Sequence, residues 1–241
     1  MKSKIVFIIP ASMSNKKDKK NFIKYKKKYL LIHKINSLLS TKLGPVYVVS
    51  NSRNIINISN STKAKSIFIH GKIGQKKTML FSICKGLENI KNKISINNYI
   101  AVSPIQNLFL RKDSIIRACK KIISKKKINS LNTYYSSFSQ HPCQIIDETK
   151  KLIKFDVVKF KDTVFTKTEK TKTLPQVSYA SCALRVSKYK YIYKLMKKKV
   201  YNKFIVDANS CIGFEIGKKE AFEVKKLEDL EYAKFLDKNV K

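Results

Sequence analysis

The sequence predicts an α/β fold built on a largely parallel sheet. Short β-branched runs alternate with longer segments whose apolar residues recur at helical spacing, the pattern of strands joined by right-handed helical crossovers. A hydrophobic content of 43% over 241 residues is enough for one full core. Six glycines and five prolines are too few for a fibrous or disordered chain. One domain, residues 1–241, is expected.

The elements follow in order. Lys4–Ile9 reads as a buried strand ended by Pro10, and Ala11–Asn21 as a polar, lysine-rich loop. Tyr29–Ser40 reads as a helix with Leu30, Leu31, Ile35, Leu38 and Leu39 on one stripe. Gly44-Pro45 marks a turn before a second strand, Val46–Val49, with Ser50-Asn51-Ser52 at its polar end. A helix begins in Ile55–Ser59, and Ser66–Ile69 is a third strand. Thr78–Ile90 is a helix, Tyr99–Val102 a strand, Ser114–Ser124 a helix and Ile128–Thr133 a strand. From Tyr134 to Pro175 the pattern changes to short strands and turns, an inserted β-rich arm. Tyr179–Val186 returns to core-strand character, and Leu227–Leu236 is a closing helix with acids in its first turn, where the helix dipole favours them.

Composition narrows the classes. No run approaches the roughly 20 apolar residues that span a bilayer, and Ile5–Ile9 is too short for a signal-peptide core. A cytoplasmic protein without a membrane span is expected. Cys84, Cys119, Cys143, Cys182 and Cys211 form no CxxC pair, and His33, His70 and His141 have no metal-ligand spacing. The net charge is +36, and 48 of the 52 basic residues are lysine. Such a field attracts polyanions. Yet the lysines run along the whole chain among abundant Asn and Ile, whereas nucleic-acid readers concentrate charge on one face and favour arginine. Composition alone accounts for the charge better than a nucleic-acid partner does.

Ligands of open parallel sheets bind outside the carboxyl ends of the strands. The loop after Ile9, the segment after Val49 and the segment after Val102 all belong there. The first carries Lys16, Lys17, Lys19, Lys20 and Asn21. Lysine offers a compact charge for phosphate, and Asn a donor and acceptor for a base or sugar. Ser50 and Arg111 stand near strand ends. His141-Pro142 and Asp147-Glu148 fit a hairpin. The carboxylates Glu223, Glu228, Asp229 and Glu231 fit either Mg2+ ligation or the acidic first turn of a helix.

Taken in order, these segments resemble the acylneuraminate cytidylyltransferases, the CMP-sialic acid synthetases. Pro10-Ala11-Ser12-Met13-Ser14-Asn15-Lys16 followed by Lys20-Asn21 is similar to the family's opening loop, and Val48-Val49-Ser50-Asn51-Ser52 to its second strand end. His141-Pro142 with Ile146-Asp147 and Leu152, Leu174-Pro175 with Ser181–Arg185, and Glu223-Val224-Lys225 through Leu236 resemble the later motifs. The resemblance spans roughly Ile5 to Leu236.

It implies a Rossmann-like nucleotidyltransferase sandwich of three layers, with residues 134–175 as a dimerisation arm and a homodimer as the assembly. It implies transfer of CMP from CTP to a sialic-acid-like, nonulosonic sugar, with release of pyrophosphate and with Mg2+ as cofactor. Lys16 and Lys20 would hold phosphates and act in catalysis. Pro10, Ala11, Ser12, Asn21 and Ser50 would line the nucleotide site, and Glu223 would be a metal ligand. The chain departs from the family at Ser12, where the loop has an arginine, at Met13 and Ser14, where it has glycines, and at Lys225, where it has a second metal aspartate. Two alternatives stay open: a relative that binds nucleotide, sugar or a partner without turnover, and a basic nucleic-acid-binding protein on this fold.

Overall fold

The computed structural model describes residues 4–11, 22–70, 79–137, 177–201 and 205–239. Its strands are β1 (Ile5–Pro10), β2 (Lys24–Tyr25), β3 (Lys28–Tyr29), β4 (Val46–Ser50), β5 (Lys65–Phe68), β6 (Tyr99–Val102), β7 (Ser130–Ser137), β8 (Val177–Lys188) and β9 (Cys211–Glu215). Its helices are α1 (Leu30–Ser40), α2 (Arg53–Asn60), α3 (Met79–Asn89), α4 (Lys112–Ser124), α5 (Tyr189–Lys197), the single turn α6 (Lys218–Ala221) and α7 (Asp229–Asn239). Strands β2 and β3 form a small hairpin leading into α1, and the remaining strands form one sheet in the order β5-β4-β1-β6-β8-β7-β9. β5, β4, β1 and β6 pair in parallel. β8 runs against both β6 and β7, and β9 runs parallel to β7. Only β8 is reversed within this sheet, so the fold is the expected mostly parallel, Rossmann-like α/β sandwich.

The period-2 alternation of β1 makes the three layers. Ile5, Phe7 and Ile9 face a core shared with Leu30, Leu31, Ile35 and Leu38 of α1 and with Ile115, Ala118, Cys119 and Ile122 of α4. Val6 and Ile8 face a second core with Leu80, Ile83, Cys84 and Leu87 of α3 and with Tyr189, Ile192 and Leu195 of α5. A strand apolar on both faces is the mark of a sheet covered by helices on both sides. No described helix is long and apolar enough to cross a membrane.

Some boundaries differ from expectation. Tyr134–Ser137, the expected start of the arm, continue β7 and pair with Val177–Ala180 of β8. Residues 138–175 of the arm, His141 and Asp147 among them, lie outside the described residues. The closing helix begins at Asp229 rather than Leu227, because the Asp229 carboxylate accepts hydrogen bonds from the backbone N–H groups of Lys225 (2.7 Å) and Lys226 (3.0 Å) and fixes the turn before it.

Candidate active site

The carboxyl ends of β1, β4 and β6 bring the expected site segments to one edge of the sheet. The Ala11 N–H donates to the Val49 carbonyl at 2.9 Å, carrying the β1–β4 ladder one residue past Pro10. The buried Ser50 hydroxyl donates to the Ala11 carbonyl (2.9 Å) and accepts from the Ser52 N–H (3.0 Å). Ser50 is therefore a clamp: it ties the start of the lysine loop to the end of β4 and keeps one lone pair beyond those bonds. Pro10, Ala11 and Ser50 come together at this edge. Ser12, Lys16, Lys20 and Asn21 lie outside the described residues.

At the end of β6, the fully buried Ser103 donates its N–H to the Ile8 carbonyl (3.2 Å) and its hydroxyl to the Ala183 carbonyl (2.7 Å). This joins the edge to β8 at a bulge. Register across β7 and β8 passes from Asn132–Arg185 directly to Thr133–Ser181, leaving Cys182, Ala183 and Leu184 unpaired with β7. Thr133 holds the bulge, its hydroxyl meeting the Leu184 carbonyl at 3.0 Å and the Leu184 N–H at 3.2 Å. Bulges re-aim side chains at sheet edges. Here the Arg185 guanidinium donates to the Cys182 sulfur at 3.0 Å, beside the end of β6.

The third component is the chain from Ala221 to Lys225. Asn107, fully buried in the loop after β6, donates its side-chain amide to the carbonyls of Ala221 (3.3 Å) and Phe222 (3.5 Å). The Val224 N–H donates to the Gln106 carbonyl at 2.9 Å. Behind that loop, Lys34 of α1 is buried and donates to the Asn107 carbonyl. Burial lowers its ammonium pKa to about 7. The segment so fixed presents Glu223 and Lys225, whose charged groups meet at 2.8 Å. The hydrogen bond to Glu223 holds the Lys225 ammonium above its ordinary pKa, with Cys182 and Asp229 adding to the effect.

Glu223 thus stands beside the loop after β6, but as a partner of Lys225. Among the described residues no three His, Cys, Asp or Glu side chains gather as metal ligands. Glu231 pairs with Lys234, and Asp229 is held by backbone N–H groups. Mg2+ wants several hard oxygen ligands in near-octahedral array. The described residues offer one carboxylate, already bridged by an ammonium, and so do not by themselves fit the ion. Arg111 lies away from this chemistry. Its backbone N–H and guanidinium bind the buried Glu220 carboxylate at 3.0 and 3.2 Å. Burial pushes the Glu220 pKa up, but these bonds and the Gly217 N–H outweigh it and leave a net lowering.

Sequence reasoning passed over Lys34, for which a lysine inside an otherwise apolar helix stripe was the available signal. Ser103 and Asn107 bound the segment Ser103-Pro104-Ile105-Gln106-Asn107, a blurred match to a motif of the family the chain resembles, and their individual roles are fixed by contacts distant in sequence.

No family model matches the chain, and no curated protein is significantly similar to it in sequence. Solved structures do match. The synthetase of CMP:2-keto-3-deoxy-manno-octonic acid, solved with CTP, aligns at TM-score 0.67 and 11% identity over 98% of both chains. The 4-diphosphocytidyl-2C-methyl-D-erythritol synthase of Anaerococcus prevotii aligns at TM-score 0.63 and 16% identity, over 97% of this chain and 98% of that one. A second synthase of the same name aligns at TM-score 0.65 and 11% identity, over 98% and 99%. The chain shares the fold of these synthetases.

Proposed function

We propose that this protein is a cytidylyltransferase that activates a sialic-acid-like, nonulosonic sugar. A hydroxyl of the sugar attacks the α-phosphate of CTP, the new O–P bond forms as the bond to the β-phosphate oxygen breaks, and pyrophosphate leaves. The hydroxyl proton passes to solvent or to a phosphate oxygen. The observation that carries the proposal is the end-to-end likeness of fold to a synthetase that joins CMP to a sugar acid and was solved with CTP. The order of motifs along the chain supports it independently.

In this scheme the chain supplies position and charge rather than covalent chemistry. Ser50 fixes Ala11 at the carboxyl edge. Lys16 and Lys20 neutralise phosphate oxygens, and Asn21 orients the nucleotide. Ser103 and Thr133 hold the β8 bulge and with it Arg185 at the same edge. Mg2+, where bound, would add charge neutralisation, and no step here depends on it. A homodimer and a cytoplasmic setting belong to the same proposal.

One observation favours a second reading, binding without turnover: the ammonium of Lys225 occupies Glu223. The test is pyrophosphate release from each nucleoside triphosphate with a panel of sialic-acid-like sugars, in Mg2+, Mn2+ and EDTA. CTP-specific release is expected. Folded protein that binds CTP yet releases no pyrophosphate with any pair would establish the second reading instead. In the active protein, Lys16→Ala should lower turnover by more than about tenfold, a typical loss for one group stabilising developing charge.

A further inference from the structure

The Glu223–Lys225 pair changes what the edge beside the loop after β6 offers an anion. A carboxylate at this edge, left alone, would repel phosphate and invite a cation. Lys225 meets Glu223 at 2.8 Å and is otherwise open, its side chain 68% exposed against 22% for Glu223. One β-bulge away, the Arg185 guanidinium sits on the Cys182 sulfur at 3.0 Å, and Cys182 in turn lies within the electrostatic reach of Lys225. Lys225 and Arg185 therefore border this edge, where Glu223 bonds the ammonium and the Asp229 carboxylate is taken up by backbone N–H groups. A divalent ion on Glu223 would have to displace the ammonium or stand against it.

We propose that this edge binds the phosphate groups of its nucleotide through its own ammonium and guanidinium groups, Lys225 foremost, with Glu223 serving as the tether that aims Lys225 rather than as a ligand to a divalent cation. The inference rests on the proposed cytidylyl transfer and names how that site takes its charge. Lysine suits the task as a compact, strongly hydrated point charge on a flexible stem. Its exposure lets it swing from carboxylate to phosphate while Val224, fixed to the Gln106 carbonyl, holds its backbone in place.

The test is calorimetric binding of CTP to the full chain, in EDTA and in Mg2+, at about 150 mM ionic strength so that diffuse attraction to the basic surface is screened. The wild-type Kd in EDTA is expected within about threefold of that in Mg2+, a difference under about 1 kcal/mol. Lys225→Asp should weaken binding in EDTA by about tenfold or more and recover part of it when Mg2+ is added. Glu223→Gln keeps an oxygen that accepts from the ammonium and removes only the carboxylate charge, so the Kd in EDTA should stay within about threefold of that in Mg2+, as in the wild type; a metal ligand would instead lose an Mg2+ gain. Wild-type binding about tenfold tighter in Mg2+, with that gain lost in Glu223→Gln, would overturn the inference while leaving cytidylyl transfer intact. CTP binding indifferent to Lys225→Asp would do the same. Absence of CTP binding in either buffer, by protein shown folded by circular dichroism, would remove the proposed function itself.

Discussion

Lys34 shows how one residue carries both stability and site geometry. It lies in a helix stripe that is otherwise leucine and isoleucine, and its described partner is the Asn107 carbonyl. Among the described residues no carboxylate pairs with it, and burial brings its pKa from 10.5 to about 7. Unfolded, the same lysine keeps its proton up to about pH 10.5. Below pH 7 both states are protonated and the fold bears the full cost of a buried charge. Between about pH 7 and 10.5 the unfolded state binds more protons than the native one, so stability rises with pH, by at most about 1.4 kcal/mol per unit from this group. Lys34→Met should remove that rise. Urea unfolding at several pH values across this window, wild type against variant, reads it out, and parallel pH profiles would refute it. Because Asn107 also holds the Ala221 and Phe222 carbonyls, the variant should loosen the segment that presents Glu223 and Lys225.

At the scale of elements, the tightest described contact for a substitution lies where α3 crosses β4. A Cβ on Gly86 would come within 2.5 Å and 3.0 Å of the two γ-carbons of Val49. Val49 is fully buried and β-branched, so it has no free rotamer into which to retreat. Gly86→Ala gains helix propensity of about 1 kcal/mol, yet overpacking of this kind costs about 1–3 kcal/mol. A net loss of stability is expected, seen as a lower urea midpoint with an unchanged slope. The elements themselves were largely legible in the sequence, because β1, β4 and β6 are short, almost wholly apolar runs and α1 and α4 carry a clean period of 3.6. The missed pieces are the single turn α6, too short to show a period, and three whose pattern is masked. The β2–β3 hairpin has two residues per strand. In α5 the apolar contacts Tyr189, Ile192 and Leu195 are interleaved with lysines and further tyrosines. β9 is an edge strand of five residues with Gly213 at its middle, where the Tyr134 ring lies over the glycine. The site was legible only where a motif marks a strand end, at Pro10, Ala11 and Ser50. The β8 bulge and the Lys34–Asn107 support arise from pairings 48 or more residues apart, and periodicity carries no trace of them.

For the whole molecule the governing quantity is charge. Seven of the sixteen acidic residues fall between Glu215 and Asp237, so the C-terminal part is the acidic end of a chain whose net charge is +36. Its carboxylates pin that part to the body. Asp237 meets Lys26 at 2.5 Å and accepts from the Tyr25 hydroxyl at 2.8 Å, and Glu220 holds Arg111. Hydrogen bonds from Lys26 and Tyr25 lower the Asp237 pKa, and Glu220 is also lowered. Carboxylates with depressed pKa values stabilise the fold above their unfolded values, near 4, and that stabilisation is lost as pH falls through the lower native values. Acid should therefore release the C-terminal segment before the central sheet opens, visible as faster amide exchange in α7 than in β1 or β4. Added salt acts on two opposed contributions. It weakens exposed pairs such as Lys26–Asp237, each worth about 0.2–1 kcal/mol, and it screens the mutual repulsion of 52 cationic side chains. Among the described residues the pairs are few, while the 52 cationic side chains are spread along the whole sequence, so screening of repulsion wins. Raising NaCl from about 20 to about 300 mM at neutral pH should raise Tm by several degrees, about 2–4 °C per kcal/mol gained in a domain of this size. A Tm that falls instead would mean that local pairing, not the net field, sets the electrostatic stability, and that the lysines are arranged among acids more closely than their even spread along the chain implies.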